Sequence, residues 1–296
     1  MIINIDSSSG FCWGVVKTID IVENVLLEKN GENVYVLGEV IHNPKEIERL
    51  ESKGLKTISI NQLNIIDKEK DTLIVRAHGE PPSTFITAKE AGINVVDATC
   101  PLVIALQKRV KKFFDESYQI IIYGKKEHPE VIGLRGFCND KCIVIYSVDE
   151  ALEKVDFTKK SVLLSQTTVD KSILYSIKDA LEAKISDFQF QNPDQNKLLF
   201  RDTVCKYVYD REDSLKEFAR NHNAILFVAG RHSSNGKSLF KLCSSANSKT
   251  FFVEDYNEID FSWFDNCQNI GISGATSTPQ WFMEEIRAKL LRHFEN

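Results

Sequence analysis

No stretch of the 296 residues approaches the ~18 consecutive apolar positions that a membrane-crossing helix needs. The opening Met1-Ile2-Ile3-Asn4-Ile5-Asp6 lacks the basic region of a signal peptide, so a cytoplasmic protein is expected. Nor is there an excess of positive charge. With 37 Lys and Arg against 42 Asp and Glu the net charge is -5, which excludes a broad nucleic-acid footprint and leaves any anionic ligand to be held locally. The chain has no G-x-x-x-x-G-K-[ST] phosphate loop and no flavin or nicotinamide fingerprint. It also lacks the compact C-x2-C spacings of ferredoxins and zinc ribbons. Pro-rich, Gly-rich and low-complexity linkers are missing, so tightly packed lobes are expected; the nearest to a break is the turn-forming stretch from Gln189 to Gln195.

What the chain does have is a repeat. Cys12, Cys100 and Cys205 each open a helix-like stretch, and an apolar strand ending in glycine follows at Gly38, Gly124 and Gly230, 26, 24 and 25 residues on. Polar loops come next: Ile41-His42-Asn43-Pro44, His128-Pro129-Glu130 and Ser233-Ser234-Asn235-Gly236. About 40 residues past each glycine a second strand ends in a polar turn, at Ala77-His78-Gly79, Gln166-Thr167-Thr168 and Ala275-Thr276-Ser277. Short β-branched runs alternate with amphipathic segments throughout, the pattern of βαβ units around mainly parallel sheets. Ligands in such sheets sit beyond the carboxyl ends of the strands, where all six loops fall.

The expected fold is therefore α/β, with three similar lobes in pseudo-threefold arrangement: 1–99, 100–200 and 201–296, the first strand and last helix tying the ends together. Strands are expected near 2–5, 34–37, 72–76, 93–96, 119–123, 142–146, 161–165, 224–229, 250–253 and 269–273. Helices are expected near 13–28, 44–53, 81–91, 101–116, 129–136, 171–183, 204–221, 236–246 and 279–293. Pro101 after Cys100 suits a first helical position, and Asp202-Thr203 before Cys205 resembles an N-cap.

Seven cysteines, an odd number without an export signal, read as reduced thiols. A thiolate is favoured at a helix N-terminus, and three thiols at matching positions of a repeat point to one metal site. Four sulfur ligands complete an ordinary cluster; three leave one iron of a cubane open, which makes a Lewis-acid site in place of a simple electron carrier. Cys138, Cys142, Cys243 and Cys267 break the repeat and read as core residues, as His222 and His293 read as ordinary surface or core histidines. His42, His78 and His128 can pair with an anion or ligate a metal.

Seven ordered motifs then carry a family resemblance: Gly10-Phe11-Cys12-Trp13-Gly14-Val15, Glu39-Val40-Ile41-His42-Asn43, Ala77-His78-Gly79, Asp97-Ala98-Thr99-Cys100-Pro101-Leu102-Val103, Glu127-His128-Pro129-Glu130-Val131, Gln166-Thr167-Thr168 and Ser233-Ser234-Asn235. Together they resemble the 4-hydroxy-3-methylbut-2-enyl diphosphate reductases, over almost the whole chain. The resemblance implies an iron-sulfur oxidoreductase of the last methylerythritol phosphate step of isoprenoid synthesis. It implies three lobes around one [4Fe-4S] cluster ligated by Cys12, Cys100 and Cys205. It further implies diphosphate binding by His42, His78, His128, Thr167, Ser233, Ser234, Asn235 and Ser277, and proton delivery by Glu130 and Thr167. A small ferredoxin or flavodoxin is the implied electron donor, with no nucleic-acid or membrane partner.

Two departures stand out. Asp210-Arg211-Glu212 replaces the family's common Asn-Arg-Gln, and Gly274-Ala275-Thr276-Ser277 stands where many members have Ala-Gly-Ala-Ser. The reaction must expel a hydroxyl as water, which calls for an acid; Glu130 is the candidate, its pKa expected to be raised by an anionic substrate and cluster. An iron-sulfur dehydratase, needing no external electrons, and a three-lobed metal-holding sensor are the competing readings.

Overall fold

The computed structural model describes residues 1–29, 32–191 and 198–295, the side chains of 187–191 excepted. Its elements run β1 (Ile2–Ile5), α1 (Trp13–Glu28), β2 (Val34–Leu37), α2 (Pro44–Ser52), β3 (Leu55–Ile58), β4 (Thr72–Val75), α3 (Pro82–Glu90), β5 (Asn94–Asp97), α4 (Pro101–Asp115), β6 (Gln119–Tyr123), α5 (Pro129–Gly136), β7 (Cys142–Ile145), α6 (Val148–Lys154), β8 (Ser161–Ser165), α7 (Lys171–Gln191) and β9 (Leu198–Phe200). They continue with α8 (Lys206–Tyr209), α9 (Glu212–Arg220), β10 (Ala224–Val228), α10 (Ser234–Ala246), β11 (Thr250–Val253), β12 (Asn269–Gly274) and α11 (Gln280–Glu295). The strands make three four-stranded sheets, and the fold is α/β. The chain divides into two compact units, Met1–Thr57 with Lys206–Asn296, and Ile58–Cys205.

Within the first unit a sheet of order β1-β12-β10-β11 forms entirely from parallel pairs. Its central strand β10 is buried at every position, because Leu226 and Val228 face one apolar cluster while Ile225 and Phe227 face another. In the second unit the sheet of order β7-β6-β8-β9 repeats this plan. Ile120 and Ile122 of β6 point into one core, Ile121 and Tyr123 into the other. Helices on both faces explain the unbroken apolar runs of these strands, and each large side chain so buried contributes roughly 1.5–3 kcal/mol. In the same unit β4 and β5 pair in parallel from Thr72 against Asn94 to Val75 against Asp97.

Several elements depart from expectation. The helix expected over 204–221 is two helices, broken where Arg211 turns its side chain inward to the Gly274 carbonyl. Thr203 does not cap it; its hydroxyl instead accepts from the Ser165 amide at 2.7 Å and donates to the Ser165 carbonyl at 2.9 Å. The short β3, α6 and β9 lack a periodic signal long enough to read. Helix α7 runs on through Gln191, and the rest of the break expected from Gln189 to Gln195 lies outside the described residues.

Candidate functional site

Each repeat cysteine is placed by the same pair of strand-like steps. Beside β4, the Ala98 amide donates to the Val75 carbonyl and the Cys100 amide to the Ala77 carbonyl, both at 3.0 Å. Beside β8, Arg201 donates to Leu163 at 3.1 Å and Cys205 to Thr167 at 2.8 Å. Beside β12, Asp6 donates to Ile272 at 2.8 Å and Cys12 to Thr276 at 3.0 Å. Every repeat cysteine is thus tied to one of the polar turns singled out in the sequence. Cys12 and Cys100 are the N-caps of α1 and α4, and neither thiol is spent on capping. Cys205 directly precedes only the four-residue α8.

The first polar loops also share one construction. Helices α2, α5 and α10 are each capped by a side-chain acceptor: Asn43 Oδ1 takes the Glu46 amide at 3.0 Å, His128 Nδ1 the Glu130 amide at 3.2 Å, and Ser233 Oγ the Gly236 amide at 3.0 Å. Pro44 and Pro129 occupy first-turn positions where no amide proton is missed. With Nδ1 accepting the Glu130 amide, Nε2 is the ring nitrogen through which His128 can offer an anion a hydrogen bond.

In the second unit His78 meets His128 edge-on, ring centroids 5.4 Å apart. Gly79, at φ +73°, lets the chain turn after His78, and a Cβ there would run into the Gln107 amide. Glu130 is buried, 2% exposed, on the first turn of α5. Its Oε1 accepts the Thr167 amide at 2.7 Å and its Oε2 the Thr167 hydroxyl at 2.7 Å. Burial pushes its pKa up to about 7, against the lowering pull of the two Thr167 bonds. No substrate or cluster is needed for the shift, which differs from the cause inferred from sequence.

In the first unit His42 Nδ1 lies 2.8 Å from Glu39 Oε2. The Gly230 backbone comes so close to the His42 carbonyl that any Cβ would collide with it, and the Ser277 hydroxyl donates to that same carbonyl at 3.5 Å. Ser234 and Asn235 form the first turn of α10 behind the Ser233 cap, where free amides favour an anion. The Asn235 amide nitrogen bonds the Thr276 hydroxyl, leaving a buried Oδ1 without a partner among the described residues. Exchanging amide oxygen and nitrogen turns that orphan into a donor and lets the oxygen accept from Thr276, the arrangement a phosphate would select.

The LytB protein family model matches residues 3–291. The chain belongs to that family. A LytB relative from Chloroherpeton thalassium, named 4-hydroxy-3-methylbut-2-enyl diphosphate reductase, is 42% identical over 303 residues, covering 97% of this chain and 95% of its own. One of the same name from Bacteroides fragilis is 43% identical over 290 residues, covering 96% and 95%. Among solved structures, that of an (E)-4-hydroxy-3-methyl-but-2-enyl diphosphate reductase, described as the terminal enzyme of the non-mevalonate pathway, matches with TM-score 0.72 at 29% identity, over 99% of this chain and 100% of that one. The E-1-hydroxy-2-methyl-but-2-enyl-4-diphosphate reductase from Plasmodium falciparum matches with TM-score 0.83 at 26% identity, over 98% and 88%.

Against this LytB pattern, sequence reasoning missed Arg211 and Asp6 as members of the first unit's polar interior. Arg211 is 8% exposed, and its Nε and Nη1 are buried without hydrogen-bond partners among the described residues. Its position inside one of the two departures from the family motifs was the available signal. The guanidinium donates to the Gly274 carbonyl, two residues before the Thr276 carbonyl that accepts the Cys12 amide. Two buried donors left over beyond the Gly274 and Asp6 contacts suit a further anionic group nearby, and none of the seven cysteines is committed to a disulfide. The donor set fits an iron-sulfur cluster.

Proposed function

We infer that this chain reduces (E)-4-hydroxy-3-methylbut-2-enyl diphosphate, with two electrons, to isopentenyl and dimethylallyl diphosphate. The buried Glu130–Thr167 pair carries the chemical part of the reading. It is an acid whose pKa burial raises to about 7, in a family whose named members act on an allylic alcohol diphosphate. Cys12, Cys100 and Cys205 are the proposed ligands of one [4Fe-4S] cluster, and the three-lobe division at these cysteines belongs to the same proposal. When bound, the cluster supplies electrons and an iron without protein sulfur that acts as a Lewis acid.

This chain's own residues supply the proton. Oε1 of Glu130 is taken by the Thr167 amide, so when the carboxyl is protonated its proton sits on Oε2 and the 2.7 Å contact with the Thr167 hydroxyl reverses, Oε2 donating to Oγ1. That hydroxyl can accept it and pass its own proton to the substrate oxygen, so that water leaves in place of hydroxide. His128 through Nε2, His42 and His78, and the Ser233, Ser234, Asn235 and Ser277 donors would hold the diphosphate, without the lysines of a phosphate loop. Ferredoxin or flavodoxin is the proposed donor of electrons in the cytoplasm; among the described residues no helix is long and apolar enough to cross a membrane.

Protein purified without oxygen should be brown, with about four irons per chain as a cubane requires. It should turn over the allylic diphosphate only when dithionite is supplied. Product without reductant would favour the dehydratase reading, and colourless protein holding one zinc the sensor.

A further inference from the structure

We propose that Arg211 is a positioning residue for the reaction: its buried guanidinium sets the electrostatic field at Cys12 and so makes the cluster easier to reduce. This inference rests on the cluster reading above. Arg211 begins α9, its carbonyl accepting the Leu215 amide at 2.9 Å while its side chain turns inward. Nη2 donates to the Gly274 carbonyl at 3.1 Å, at the end of β12. Two residues on, the Thr276 carbonyl accepts the Cys12 amide at 3.0 Å, so the guanidinium is tethered to the strand end that also positions the cysteine.

The expected counter-ion is already engaged. Asp6 Oδ2 stands 3.6 Å from Nη2, beyond a good hydrogen bond. The same Oδ2 accepts the Ser273 hydroxyl at 2.8 Å, and Oδ1 accepts the Ser8 amide and hydroxyl at 2.9 and 2.7 Å. Burial disfavours the charged guanidinium, and the nearby Asp6 carboxylate favours it. Arginine nevertheless keeps its charge in proteins. A buried cation with two unbonded donors and a shared carboxylate is costly in isolation, and its cost falls as negative charge gathers at Cys12. Reduction adds an electron to a thiolate-bound group that is already anionic, so a fixed positive charge stabilises the reduced form more than the oxidised form.

The test is the midpoint potential of the anaerobically purified enzyme, followed by the visible and electron paramagnetic resonance signals, with iron content measured beside it. Arg211→Met should keep its iron and lower the one-electron reduction constant about tenfold, a shift of ~59 mV to more negative potential. Arg211→Lys, which keeps the charge, should hold most of the wild-type value; a merely structural role would move both variants alike. Asp6→Asn removes the competing anion and should shift the potential the opposite way, roughly threefold in the reduction constant. If Arg211→Met cannot hold its cluster, Asp6→Asn decides: a potential unmoved or more negative overturns the assignment. Iron-loaded Arg211→Met with the wild-type potential overturns it directly. Wild-type protein without iron overturns the cluster reading and this inference with it, and iron content separates the two failures.

Discussion

Asn43-Pro44-Lys45-Glu46 opens α2 and His128-Pro129-Glu130 opens α5, and in both a side chain caps the amide of a glutamate that is then buried, 0% exposed at Glu46 and 2% at Glu130. The partners opposite the two carboxyls differ. Glu46 is met by the Arg49 guanidinium, through Nε at 2.9 Å and through Nη2, and by the Trp281 indole at 2.9 Å. Among the described residues Glu130 is met by the neutral amide and hydroxyl of Thr167. A buried carboxylate facing a cation stays ionised and braces the structure, whereas one facing neutral donors holds its proton. The local recipe puts a glutamate inside; the residue across from it decides between brace and acid.

The largest effect on this contrast should come from Glu130→Gln. Turnover should fall roughly 10²–10⁴-fold with the iron retained, as loss of a general acid implies. Near-normal turnover would remove Glu130 from the mechanism. The same variant exposes a stability effect with a defined sign. Unfolded, the carboxyl ionises near 4.5; folded, it keeps its proton to about 7. Between those pH values the folded protein binds the extra proton, so stability falls as pH rises and the loss is complete above about 7. The size is a few kcal/mol, at ~1.4 kcal/mol per unit. Denaturant unfolding at pH 5 and pH 8 should show this fall in the wild type and its absence in Glu130→Gln. Turnover should likewise decline above about pH 7, as the acid is lost.

Thr167→Val should act less strongly on the same pair. It leaves the amide bond to Oε1 and deletes the hydroxyl bond to Oε2, so turnover should drop about 10–100-fold, or about 1.4–2.7 kcal/mol of transition-state stabilisation. Because that hydroxyl lowers the Glu130 pKa, its removal should carry the alkaline limb of the pH profile upward. An unmoved limb would mean that the threonine does not touch the titrating acid.

Much of this was legible in the chain. The cysteine-to-glycine spacing marked β2, β6 and β10, whose double-sided burial writes an apolar run into the sequence, and prolines at Pro44, Pro101 and Pro129 marked three helix starts. The polar loops that cap α2, α5 and α10 were visible as residue types, but not which atom does the capping, and so the role of His128 Nδ1 was not. Glu130 could be nominated from its motif, while the cause of its raised pKa depends on burial that no local pattern encodes. Arg211 was hidden for the same reason. Its meaning lies in partners more than 60 residues away at Gly274 and some 200 away at Asp6. Strand β3 buries only its end residues, Leu55 and Ile58, and so carries neither alternation nor an apolar run.

On the other side of the comparison, Glu46→Gln should leave turnover per folded molecule unchanged and cost about 1–3 kcal/mol, because the Arg49 charge then loses its buried partner. Smaller still is Asn43→Ala, about 1 kcal/mol by thermal or urea unfolding, since one first-turn amide of α2 loses its acceptor. Asn43→Ser keeps an acceptor at the same place and should recover nearly all of that loss. The pair separates capping from everything else Asn43 does beside His42: if Ser restores stability but not turnover, the asparagine also shapes the loop that carries the histidine. Recovery of both would confine its role to the helix start, as the shared construction of α2 and α10 implies.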